Sequence, residues 1–218
     1  MKNMFRKILT LSMIFCAGFA ATVQAAQYVY SWEKRVGFIR TSDSVQTNTP
    51  KAFLQFCQRH PEDCMPSNAP RYVVLDAIRM RDLNTVNMDV NDSLFFNTDL
   101  AGRDTWEYPQ DGYADCEDYA LEKRRRLMDL GWPASTLLLT MAEKKNEELE
   151  AWRHHVVLTV RTAQGDYVLD NEIRPAVSWD KAARLYRFTI MQSAYDPRVW
   201  VQVDDRRNAS VDSASTIR

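Results

Sequence analysis

Positive charge is not in excess in this chain: 28 lysines and arginines stand against 29 acidic residues, for a formal net charge of −1. That balance speaks against nucleic acid or an anionic membrane surface as a partner. No internal repeat and no long linker divides the sequence, so past its first residues it reads as one domain with its own core. A complete EF-hand loop is also missing. The one long apolar run, Ile8 to Ala20, falls short of the about 20 residues that a membrane-spanning helix needs. Histidine and cysteine are scarce, at three and four, so each can be weighed singly.

What is present begins with an address. Lys2, Arg6 and Lys7 precede the apolar run, and Val23-Gln24-Ala25 puts small or aliphatic residues where a signal peptidase reads. Residues 1–25 therefore read as a secretory signal peptide cut after Ala25, and the expected location is periplasmic or secreted. Phe15 ahead of Cys16 argues against a lipid-anchored cysteine. Loss of those three cations takes the formal net charge from −1 to −4. Residues 26–205 are the expected domain, and 206–218, rich in Ser, Asp and Arg, read as a disordered tail.

Removal of Cys16 leaves Cys57, Cys64 and Cys116 in an oxidising compartment. Cys57 and Cys64 flank a segment able to turn, Arg59-His60-Pro61-Glu62-Asp63, and are the expected disulfide pair. Two unconnected thiols, or a metal site with His60, are the alternatives. Cys116 is left odd. Asp115 ahead of it is a good helix N-cap, and Gly131 and Pro133 end the helical run. Tyr119, Ala120, Leu127 and Leu130 fall within about 60° of Cys116 on a helical wheel, with Lys123 able to snorkel to water. A thiol in a first helical turn is favoured as thiolate by backbone N–H groups and the helix dipole. The plainer alternative is a buried structural cysteine.

Upstream, Phe53, Leu54, Phe56 and Cys57 suit a short helix. Tyr72, Val73, Leu75, Ile78, Met80, Leu83 and Val86 suit a longer one opening after Pro70. Downstream, Thr136 to Met141, His155 to Val160 and Tyr167 to Leu169 have strand composition, with Gln164-Gly165 as a turn signal. Helices followed by antiparallel strands predict an α+β fold with the Cys116 helix packed on the sheet. Strand alternation separates the adjacent histidines: His154 shares a face with Val156 and Leu158, His155 with Val157 and Thr159. A four-residue loop from Thr162 to Gly165 makes His155 and Asp170 diagonal neighbours, and an even-length loop never lets His154 face Asp170. A three-residue loop reverses the choice. Cys116, His155 and Asp170 thus supply a nucleophile, a base and a group that orients the base.

The motifs Asp115-Cys116-Glu117-Asp118-Tyr119-Ala120, Leu130-Gly131-Trp132-Pro133, His155-Val156-Val157-Leu158 and Val168-Leu169-Asp170-Asn171 resemble the bacterial transglutaminase-like cysteine proteinases. Leu83-Asn84-Thr85-Val86-Asn87 and Asp104-Thr105-Trp106-Glu107-Tyr108-Pro109 resemble the same family, which includes LapG-type periplasmic proteases. Ala114 departs from the glycine usual in the family. The resemblance implies a papain-like, transglutaminase-like fold, catalytic Cys116, His155 and Asp170, and a protein substrate such as a surface adhesin, with an inner-membrane regulatory partner. It also implies calcium dependence, with metal carboxylates on Asp115 and Glu117.

The residues give calcium a reason. Asp111, Asp115, Glu117 and Asp118 crowd negative charge around Cys116, which opposes a thiolate unless a hard cation offsets it. Against this, Asp115 can simply cap the helix and Glu117 face solvent. Trp106 is either an oxyanion donor or a core aromatic. Acyl transfer to an amine and a non-catalytic binding module remain the alternative functions.

Overall fold

In chain order the elements are β1 (Thr41–Thr47), α1 (Lys51–Arg59), α2 (Ala77–Ser93), β2 (Phe95–Phe96), β3 (Tyr113–Ala114), α3 (Cys116–Asp129), β4 (Leu137–Asn146), β5 (Ala151–Thr162), β6 (Gly165–Leu169), β7 (Val177–Ser178), α4 (Trp179–Ala182), β8 (Tyr186–Gln192) and β9 (Trp200–Val203). The computed structural model describes residues 41–98, 104–146 and 151–204, all within the unit Val36–Arg218. The expected signal peptide and tail lie outside the described residues.

Seven strands form one sheet in the order β1-β9-β8-β4-β5-β6-β7, every neighbouring pair antiparallel. Alternation along the strands feeds two cores. Leu139, Val156, Leu158 and Leu169 pack with Phe53, Leu83 and Leu127 of the helices, whereas Leu138, Val157 and Val168 pack on the other face with Trp179 and Phe188. This is the expected α+β arrangement, with α3 on the sheet. β2 and β3 make a separate two-stranded parallel ladder.

α1 follows Pro50 and buries Phe53 and Phe56 one turn apart. It ends before Pro61, whose ring cannot continue it. The expected long helix opens later than the apolar pattern implies. It starts at Ala77, where the Asp76 side chain caps it by accepting from the Arg79 N–H at 2.8 Å. Tyr72 to Leu75 stay outside it because Val73 bridges in parallel to Thr162, giving its N–H to the Arg161 carbonyl and its carbonyl to the Ala163 N–H. Tyr72 and Ile78, expected in the core, are exposed.

The expected helix from Cys116 is α3, and Gly131 ends it in the left-handed region at φ +85°. There the Gly131 N–H bonds the Met128 carbonyl and the Trp132 N–H bonds the Leu127 carbonyl, the Schellman closure. Two readings of its faces fail. Leu130 is exposed, and Lys123 does not snorkel: it is fully buried. α3 is covered on more than one side, so charged groups a wheel sends to water find partners inside. Arg124, 2 % exposed, donates to the Leu137 and Asp63 carbonyls and faces the Asp63 carboxylate at 3.7 Å. Buried Glu122 accepts from Arg125 and Arg126.

Candidate active site

Cys116 is the only free cysteine among the described residues, because Cys57 and Cys64 form the expected disulfide with Cα atoms 5.6 Å apart. That removes their sulfurs from any metal site. The expected choice of histidine follows from the hairpin. β5 and β6 pair Leu158 with Leu169 and Thr162 with Gly165, the register of the four-residue loop, tightened so that only Ala163 and Gln164 turn. His155 is buried and His154 exposed.

The imidazole Nε2 of His155 meets Asp170 Oδ1 at 3.0 Å. Burial alone would raise the Asp170 carboxyl, but the bond from His155, the Glu172 N–H at 2.9 Å and the Tyr186 hydroxyl outweigh it and hold the group below the usual carboxylate range. With Asp170 ionised, Nε2–H is the donor, so the proton is fixed on that nitrogen and Nδ1 is the basic one. Nδ1 is buried and has no hydrogen-bond partner among the described residues.

The sulfur comes to the same strand. Past the Leu158–Leu169 pair, two residues further along β5, the Val156 N–H bonds to Cys116, which favours the thiolate. Stronger influences oppose it: burial first, then the charge of Glu117 and the thiol's hydrogen bond to Glu117 Oε2 at 3.0 Å, push the thiol well up. The first-turn position therefore does not by itself give the thiolate expected from the helix dipole. Glu117 is itself raised far above ordinary carboxylates, by burial and then by Asp115.

Neither half of the plainer reading of these carboxylates holds. Glu117 is buried, and Asp115, also buried, occupies the N-cap position without a side-chain capping bond. The other two acids have different uses: Asp111 accepts from the Tyr113 N–H and Asp118 from the Glu107 N–H. Asp115 and Glu117, flanking the thiol, are the oxygen donors suited to a hard cation. Trp106 is a core aromatic, packed edge-on to Phe53 and Trp200, and its indole N–H bonds Asp104. It is not available as an oxyanion donor here.

Three groups at the site were not anticipated. Tyr186 of β8 donates its hydroxyl to Asp170 Oδ2 and stacks on His155, ring centroids 5.4 Å apart and planes 26° from parallel. Its signal was the apolar alternation of Tyr186, Phe188 and Ile190, a strand pattern. Asn84, Asn87 and Asn91 line one face of α2 and hold the segment after β6. Asn91 donates to the Asp170 carbonyl at 2.9 Å, and Asn87 to those of Ile173 and Arg174 at 2.8 Å each. Asn84 accepts from the Ala176 N–H. Lys123 lies 5.5 Å from the Tyr119 ring centroid, its amine without a hydrogen-bond partner among the described residues. Burial pulls its pKa down to about 7 against the favourable charge of Asp170.

Comparison with known proteins adds three findings. The family profile described as bacterial transglutaminase-like cysteine proteinase matches residues 43–208. A search of curated protein sequences found no match. Among solved structures, calcium-bound LapG of Legionella pneumophila is similar at 21% identity and a TM-score of 0.48, covering 80% of this chain and 86% of that one. Two further structures of Legionella pneumophila LapG, one of them EGTA-treated, are each similar at 22% identity and a TM-score of 0.46, over 85% of this chain and 94% of theirs.

Proposed function

The chain belongs to the bacterial transglutaminase-like cysteine proteinases, and from that membership we propose that Cys116, His155 and Asp170 are the catalytic triad of this cysteine peptidase. The observation that carries the reading is the buried imidazole of His155. One of its nitrogens is committed to an ionised Asp170 and the other has no hydrogen-bond partner among the described residues, while the Cys116 sulfur is bonded at the next residue, Val156. His155 Nδ1 takes the thiol proton and Cys116 Sγ attacks the scissile carbonyl carbon. The tetrahedral intermediate collapses as the imidazolium gives its proton to the leaving amine, leaving a thioester. Water, deprotonated by the same nitrogen, then releases the acid and restores the thiol. Asp170 keeps Nε2 protonated throughout and stabilises the imidazolium. Backbone N–H groups in the first turn of α3 are the oxyanion donors in this reading.

Calcium belongs to the same proposal. Asp115 and Glu117 fit a calcium ion because they are neighbouring buried carboxylates: burial first, and then the charge of Asp115, disfavours the Glu117 anion, and a hard cation would offset both. Bound there, the ion would supply positive charge beside the thiol. The substrate class follows from the family: a protein. Cleavage of a surface adhesin, regulation by an inner-membrane partner and export to the periplasm or beyond complete the proposal. Export is supported by the cationic and apolar start of the chain and by a disulfide of the kind oxidising compartments keep. The test is to incubate the purified protein with the exported proteome of its own host and map new protein termini. Termini that appear with the parent and vanish with Cys116→Ala are expected; identical termini from both would overturn the reading.

A further inference from the structure

Asp170 has two carboxylate oxygens, and His155 uses one. The other accepts the hydroxyl of Tyr186, and the ring of the same tyrosine lies against the imidazole. We infer that Tyr186 is a positioning residue for the catalytic pair, fixing carboxylate and imidazole at once from a strand that carries neither. This rests on the triad proposed above.

The geometry explains why one residue does both tasks. A carboxylate held through one oxygen can rotate about its Cβ–Cγ bond and swing the acceptor away from Nε2. A second bond on Oδ2 removes that rotation. An imidazole anchored only at Nε2 can tip about the Nε2–Oδ1 line, carrying Nδ1 off the sulfur's approach. A ring lying 26° from parallel to it blocks the tip on one side. β8 is joined to β4, and β4 to β5, so Tyr186 reaches the pair through the ladder that carries His155. Its own phenol titrates outside the working range, since burial, then the charge of Asp170 and the bond to it, keep the proton on the oxygen. The titratable and charged groups around it are Asp170 and Glu172 after β6, Arg153 and His155 of β5, and Lys144 of β4, whose amine lies 5.8 Å from the ring centroid. Lys144 and Arg153 both pair with Glu172, which leaves the hydroxyl as the tyrosine's link to the acid.

Tyr186→Phe deletes the hydroxyl and keeps the ring. In turnover, kcat should fall about tenfold, the equivalent of one hydrogen bond to a charged group, with KM unchanged. In a Cys116→Ala background, the Asp170 carboxyl titration followed by carbon NMR should move up by about one unit. Adding Tyr186→Phe to Asp170→Asn should cost little further, because the two act through one bond. Replacing Tyr186 with 3-fluorotyrosine, whose hydroxyl is a stronger donor, should move the Asp170 titration down, which keeps the test open should the phenylalanine variant fold poorly. An unmoved Asp170 titration, or an equal loss in the presence and absence of Asp170→Asn, would overturn the inference. The NMR arm does not depend on turnover. Should Cys116→Ala leave proteolysis intact, the triad reading fails while the Tyr186–Asp170 link is still measured.

Discussion

Asn87→Leu gives a sharp test of how the acid of the pair is held. Asn87 is completely buried and its amide bonds the carbonyls of Ile173 and Arg174, each at 2.8 Å, three and four residues past Asp170. Leucine keeps the same branching and the same number of side-chain heavy atoms, so no cavity accompanies the change. Two bonds of about 1 kcal/mol each are lost. Part of that is returned, because the Asn87 carbonyl oxygen has no hydrogen-bond partner among the described residues and leucine removes it. The expected net loss is about 1 to 2 kcal/mol, or a fall in Tm of about 2 to 8 °C for a domain of this size. Even a parent stable by only about 5 kcal/mol would remain more than about 99% folded at 25 °C. A fall in kcat at 25 °C would therefore report a loosened Asp170 segment in molecules that are still folded. Thermal unfolding and steady-state kinetics on the same preparation make the measurement. A variant as stable and as active as the parent would refute the claim that α2 holds the acid in place.

Cys116→Ala and His155→Ala should abolish turnover with the fold kept, while exposed His154→Ala retains most of it; equal losses from the two histidines would undo the assignment. Lys123→Met should stabilise the protein most at and below pH 7. The lysine's folded pKa of about 7 lies below its unfolded value, so the unfolded chain binds the extra proton between them and stability rises with pH across that window. Denaturant unfolding at pH 7 and pH 9.5 should show the gain shrinking, and a constant gain would mean that Lys123 is charged in the fold throughout. Iodoacetamide should alkylate Cys116 slowly in excess EGTA and faster with calcium, with the difference lost in Asp115→Asn and in Glu117→Gln. Equal rates with and without EGTA in the parent would dispose of the calcium reading.

The part of this molecule that could be read from its residues is the part governed by near neighbours in sequence. The β5–β6 register follows from strand alternation and one short turn, so His155 and Asp170 came out as a pair. Gly131 likewise marks the end of α3 by local geometry alone. What escaped is set across long separations. Arg124 looks like a surface charge until Asp63, 61 residues earlier, meets it inside the protein. Leu130, which the wheel puts on the buried face, is exposed, and Lys123, which the wheel puts on that face with its amine reaching water, stays buried to its tip because α3 is covered on several sides. Tyr72 to Leu75 carry apolar residues at helical spacing yet stay extended, held by a backbone bridge to Thr162 that no local pattern announces. Tyr186 reaches Asp170 only because β8 lies beside β4, an adjacency fixed by the whole sheet.

The hydrogen bond from Cys116 to Glu117 bears on how long such an enzyme survives among oxidants. Peroxides attack the thiolate and leave the protonated sulfur largely alone, so a thiol that burial and Glu117 keep protonated is slow to start down the path to sulfenic and sulfinic acids. Whatever draws the proton away for catalysis also opens the sulfur to that damage. The enzyme should thus tolerate hydrogen peroxide while idle and be inactivated by it while working, which links its chemical lifetime to the time it spends switched on.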